Sequence, residues 1–162
     1  MTALRDRTNE TVIFGARQGE RVIYLAVVEG RQTIRYISQA GALKPMHASA
    51  VGKALLMAMP LPERTKLVLR LALAATTSRT ITSTDALLAD IEAAASRGYA
   101  QTEGENVADV MAIALPGADR GCELRRRYRR ADWPGRRPRD RVCPRDPRGD
   151  RRDPVTRHRL GT

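Results

Sequence analysis

Cysteine is scarce in this 162-residue chain: there are two, Cys122 and Cys143. Neither has a second pair or a nearby histidine with which to build a zinc site, and neither is given a structural role. Histidine is equally rare, and His47 is the only one in the first 116 residues. The nearest hydroxyl nucleophiles, Ser38 and Ser49, form no recognisable catalytic arrangement with it, so a hydrogen-bonded structural histidine is expected there and no enzyme. No apolar run reaches the length of a membrane span, and Met1 to Arg7 lacks the apolar core of a signal peptide. A cytoplasmic protein with no membrane partner is therefore expected. Gly52-Lys53 is not a phosphate loop, because His47 stands where that motif needs glycine and no Ser or Thr follows Lys53. Glu103, Glu105 and Asp109 lack both histidines and the calcium-loop pattern, and read as a solvated loop. Neither a metal nor a cofactor is implied.

Lysine is missing altogether from the second part of the chain. Residues 1–116 hold 13 Lys and Arg against 11 Asp and Glu, a net of +2, whereas residues 117–162 hold 16 Arg against 7 acidic residues, a net of +9. The formal charge of +11 thus belongs almost wholly to the second part. Only ten of those 46 residues are apolar, and arginine runs such as Arg125-Arg126-Arg127 are interleaved with Pro134, Pro138, Pro144, Pro147 and Pro154. Such a segment buries too little apolar surface to offset its ordering entropy, so 117–162 is expected to be a disordered basic tail. Its arginines give an alternative function, non-specific and salt-sensitive nucleic-acid binding, although only Tyr128 and Trp133 supply aromatic interleaving. Residues 1–116 are an ordinary domain, long enough to bury a core.

Within that domain, Thr11-Val12-Ile13-Phe14 is a short β-rich run. Arg21 to Val28 is the strongest strand, and its near-continuous apolarity predicts a central strand covered on both faces. Thr33 to Gln39 alternates and predicts a neighbouring strand, hairpin-linked through Gly30-Arg31-Gln32. Residues 41–46 then read as a loop. Helices are predicted from Ala48 to Met59, from Glu63 to Leu73, and from a Ser83 or Thr84 cap to Arg97, the last closed by Gly98. Tyr99 to Gln101 is extended, and Val110 to Leu115 is a further strand. Hairpins with helices to one side make an α+β domain. Tyr24 and Tyr36 are expected in its core or in cross-strand pairs.

The stretch from Lys44 to Met59 organises the rest. Pro45 ends an extended segment, Ser49 is placed to cap, and no acidic residue sits in the first helical turn. The helix start is left electropositive, with free N–H groups able to hold a carboxylate or phosphate. On these residues alone, a buried helix whose small side chains let a sheet come close is favoured.

Three stretches change that balance. Pro45-Met46-His47-Ala48-Ser49-Ala50-Val51-Gly52-Lys53-Ala54-Leu55-Leu56 resembles the signature of the effector-binding domain of the isocitrate lyase regulator (IclR) family of bacterial transcription factors. Ser78-Arg79-Thr80-Ile81-Thr82, leading to Arg97-Gly98-Tyr99, and Glu105-Asn106 followed by Val110 to Leu115, follow in the family's order and spacing. The resemblance implies a GAF-like antiparallel sheet flanked by helices, a small organic acid as effector, and a homo-oligomer. It also implies that Ala50 and Val51 meet the ligand carboxylate through backbone N–H groups, with Thr102 and Ala112 lining the rest of the pocket.

Two departures from the family accompany it. The winged helix-turn-helix that normally precedes this domain has no counterpart in residues 1–10, which fall within the linking helix, so specific DNA binding is not expected. The family's next strand, Gly-Pro turn and C-terminal helix are replaced by 117–162. Arg, Pro, Gly and Asp without Lys are what GC-rich DNA yields out of frame, so a frame shift between about Pro116 and Leu124 is expected. The expectation is a truncated sensor domain with half of its pocket lost.

Overall fold

The computed structural model describes residues 1–117 and the backbone of 122–128. The chain divides into Met1–Arg130 and Ala131–Thr162, and the whole of the second unit lies outside the described residues. The tail expected to be disordered and to bind nucleic acid falls there from residue 129 onward.

The elements run α1 (Thr2–Thr8), β1 (Val12–Gln18), β2 (Arg21–Val28), β3 (Leu43–Pro45), α2 (Ala50–Met57), α3 (Leu61–Val68), α4 (Thr84–Arg97), β4 (Ala100–Glu103), β5 (Val110–Pro116) and β6 (Cys122–Tyr128). The strands form one sheet in the order β3-β2-β1-β6-β5-β4, with every neighbouring pair antiparallel. This is the α+β architecture read from the sequence.

Local chemistry accounts for the helices. Ser49 caps α2, its hydroxyl accepting from the Gly52 N–H at 3.0 Å. Ser83 does the same for α4 through the Ala86 N–H, Asp85 sits in the first turn, and Gly98 closes the helix in the left-handed conformation. Pro60 and Pro62 bracket the start of α3, where the missing N–H of proline costs nothing. That helix ends at Val68, five residues before the predicted end, yet Leu71 and Leu73 still pack on the core beyond it.

Two expectations about the sheet need correction. Thr33–Gln39 is not a strand. Thr11 accepts the Gly30 N–H at 3.0 Å and donates to the Tyr36 carbonyl at 2.8 Å, which folds this segment back over the start of β1. Tyr36 is buried by that fold, while Ile34 and Ile37 on either side of it are exposed. The place beside β2 goes instead to residues 41–45: Ala42 and Gly41 bond to Tyr24, and β3 continues the pairing. Consequently β2 lies one strand from the sheet's edge and is covered on one face only; Val22 and Tyr24 are buried, but Leu25 is 50 % exposed.

A further strand follows residue 116, where the sequence reading ended the domain. The backbone of β6 lies between β1 and β5, pairing Val12 with Arg125 and Ala112 with Arg126. A ladder is made by main-chain N–H and C=O groups, so a segment without a strand-like side-chain pattern still closes it. β6 is therefore held in the sheet by its backbone.

Candidate functional site

α2 lies over the sheet, packed against β1, β4, β5 and β6. Gly15 permits that approach, and Gly52 permits another, between α2 and the turn that precedes it. A Cβ on Gly15 would stand 3.1 Å from Cγ1 of Val51, so the first turn of α2 rests almost on the β1 backbone. Gly52 faces the Met46 carbonyl, and any side chain there would meet main chain.

The four residues expected to form the effector site are all buried: Ala50, Val51, Thr102 and Ala112 are at most 5 % exposed. Thr102 and Ala112 are direct partners in the β4–β5 register, and their strands are among those that α2 packs against. Each falls on a buried position of its alternating strand, the face that meets the core. No acidic residue lies in the first turn of α2, and among the described residues the N–H groups of Ala50 and Val51 meet no acceptor. These donors retain the positive end of the helix.

Lys53, one turn into the same helix, is fully buried. Its Nζ donates to both carboxylate oxygens of Glu105, at 2.8 and 2.7 Å, and stands 2.7 Å from Oδ2 of Asp90 on α4. Sequence reasoning placed Glu105 in a solvated loop; it is 8 % exposed and ion-paired. The signal that could have found this was a lone lysine among small and apolar helix residues, since a buried ammonium needs a counter-charge. Burial pushes the Glu105 carboxyl above its ordinary range, against the opposing pull of Lys53. Among the described residues, no three His, Cys, Asp or Glu side chains are grouped to hold a metal ion.

Glu105 is held at its backbone as well. Thr80 donates to the Glu105 carbonyl at 2.7 Å and Thr77 to the Gly104 carbonyl at 2.6 Å. The Thr80 hydroxyl also accepts the N–H groups of Thr76 and Thr77. His47 is 2 % exposed, and its Nε2 lies 3.1 Å from the Ala74 carbonyl. It is the structural histidine expected at a loop–helix junction, with desolvation holding its pKa below the ordinary value and Lys53 adding to that effect. No described helix is long and apolar enough to cross a membrane.

Comparison with known proteins agrees with this fold. The family profile described as "Bacterial transcriptional regulator IclR C-terminal" matches residues 1–124. The probable transcriptional regulator SauR of Cupriavidus necator is 34 % identical over 113 residues, covering 70 % of this chain and 45 % of SauR. The chain spans about half the length of the curated relatives it matches, 45 % and 46 % for two of them. Among solved structures, Thermotoga maritima IclR superposes with a TM-score of 0.73 at 27 % identity, covering 78 % of this chain and 53 % of that one. An IclR homologue from Microbacterium hydrocarbonoxydans, solved with 4-hydroxybenzoate, shares the fold at a TM-score of 0.69 and 20 % identity, over 79 % of this chain and 55 % of that one. These relatives are transcriptional regulators and not enzymes. The chain belongs to the IclR family of bacterial transcriptional regulators, of which it carries the C-terminal domain.

Proposed function

We propose that this domain senses a small organic acid on behalf of a cytoplasmic, homo-oligomeric transcriptional regulator. The ligand carboxylate is held by the N–H groups of Ala50 and Val51, and Thr102 and Ala112 shape the space for its remainder. The observation that carries the reading is the buried start of α2, where the Ala50 and Val51 N–H groups meet no acceptor among the described residues and the first turn holds no acidic residue. A helix start of this kind suits an anion that brings its own acceptors. The aromatic acid in the Microbacterium homologue supports the same ligand class. Residues 1–10 hold the seven-residue helix α1, so we assign these residues to linkage and not to operator recognition.

A thermal-shift screen with acetate, succinate, benzoate and 4-hydroxybenzoate tests the reading. An acid that binds only the folded chain raises its stability by about 2.7 kcal/mol when present at a hundred times its Kd. A cooperative unfolding transition that no carboxylate moves would overturn it.

A further inference from the structure

We propose that Lys53 is the positioning residue of the effector site. Clamped between Asp90 and Glu105, it sets the height and rotation of α2, so that the N–H groups of Ala50 and Val51 are presented at a fixed place over the β4–β5 pair.

The argument begins with the helix. α2 has eight residues, too few to be stable alone, so its placement depends on tertiary anchors. Its side chains are small or apolar apart from that of Lys53. Apolar packing on its own is not directional, so a short helix held by it alone is less sharply placed than one that also carries directional bonds. An ammonium donating to both Glu105 oxygens at 2.8 and 2.7 Å is directional, and Asp90 Oδ2 adds a non-hydrogen-bonded charge contact at 2.7 Å. The counter-charges come from two other elements: Asp90 from α4, and Glu105 from the connection between Thr102 and Ala112. That connection is itself fixed, since Thr80 and Thr77 grip the carbonyls of Glu105 and Gly104. The clamp thus ties the donor end of the site to the strand pair that lines it.

Net stability does not explain such a cluster. Desolvating three charges offsets most of their attraction, and well-packed apolar replacements commonly hold a fold as well. The role we assign to the cluster is to fix the register of α2, a use that buried ionic and polar groups have in some folds. The significance of the clamp rests on the reading of α2 as the carboxylate-holding helix, but its test uses no effector and fails separately.

Amide hydrogen exchange on the full chain decides the matter, with the N–H groups at positions 52 and 53 as reporters. Both bond to Ser49, one to its hydroxyl and one to its carbonyl, each at 3.0 Å, so they report the first turn of α2. In the triple variant Lys53→Met, Asp90→Asn, Glu105→Gln, where all three clamp charges are gone and only the part-exposed Arg97 loses its ion pair with Asp90, these two amides are expected to exchange about tenfold faster. The amides of α4 and of the β1–β2 pair should keep their wild-type rates. The single variant Lys53→Met, which strands two carboxylates, should show the same local change or a larger one. Unchanged exchange at 52 and 53 in the folded triple variant would overturn the proposal. So would an equal acceleration everywhere, or failure of the triple variant to fold, since either would make the cluster a support of the whole fold.

Discussion

The carbonyl group of Met46 fills the space beside Gly52 in which a Cβ would stand, with the carbonyl carbon 2.7 Å from that position and the oxygen nearer still. The turn before α2 is folded onto the helix's own first turn, and both sides of the contact are main chain. Gly52→Ala therefore has no flexible side chain to push aside. It is expected to cost about 3 kcal/mol, at the upper end of ordinary overpacking, and to disturb the α2 start. Gly41→Ala is the control: it has open space and a φ of +85°, so only the backbone conformation is penalised, by about 1 kcal/mol. Urea denaturation of the two variants should separate them by roughly these amounts.

A second prediction concerns the Thr80 hydroxyl, which accepts from two backbone N–H groups and donates to the Glu105 carbonyl. Thr80→Val keeps the shape and leaves all three groups without that partner. A loss of about 2 to 3 kcal/mol is expected, with Thr80→Ser restoring most of it. Equal stability of the Val and Ser variants would show that water replaces the hydroxyl.

These two positions show what a sequence discloses and what it hides. α4 was legible from end to end, because Ser83, Asp85, the Leu87-Ile91-Ala94 spacing and Gly98 are all local signals. The α2 start was legible for the same reason, and a family resemblance added Thr102 and Ala112, which the register does set side by side. The segment 33–39 misled because its alternation is real, whereas contacts distant in sequence, among them the hydrogen bond from Thr11 25 positions away, hold its path. β3 is three residues long and too short to leave a pattern. β6 is joined to the sheet by backbone pairing, to which side-chain patterns are blind. The clamp on Lys53 needs a partner 52 positions along the chain, and no local rule connects the two.

The pH dependence of stability carries two opposed contributions. Burial lowers the His47 pKa from about 6.5, so between that value and the lowered one the unfolded chain binds more protons than the folded chain. The His47 contribution is present above pH 6.5 and is lost as pH falls through the lowered value. Burial raises the Glu105 pKa from about 4.5, so there the folded chain binds more protons. The Glu105 contribution is greatest below pH 4.5 and is lost as pH rises through the raised value. Urea titrations from pH 4 to pH 8 should therefore show His47→Asn removing a destabilisation on the acid side. Glu105→Gln should remove a slope of the opposite sign. A wild-type slope retained in both variants would place these titrations elsewhere.

The effector site itself separates backbone from side-chain recognition. If the carboxylate is held by main-chain donors, Val51→Ala leaves those donors in place and removes only the packing of its side chain against β1. Stability should fall by about 2 kcal/mol, as for other truncations of buried aliphatic side chains, while affinity for a carboxylate that stabilises the wild type changes less than threefold or so. Thr102→Val keeps the volume and removes a hydroxyl, so it should alter which acids bind while leaving the requirement for a carboxylate intact. Calorimetry with benzoate against benzamide, on wild type and both variants, reads the difference: the acid should be preferred in all three. Loss of that preference in Val51→Ala would mean that the side chain, and not the helix start, selects the anion.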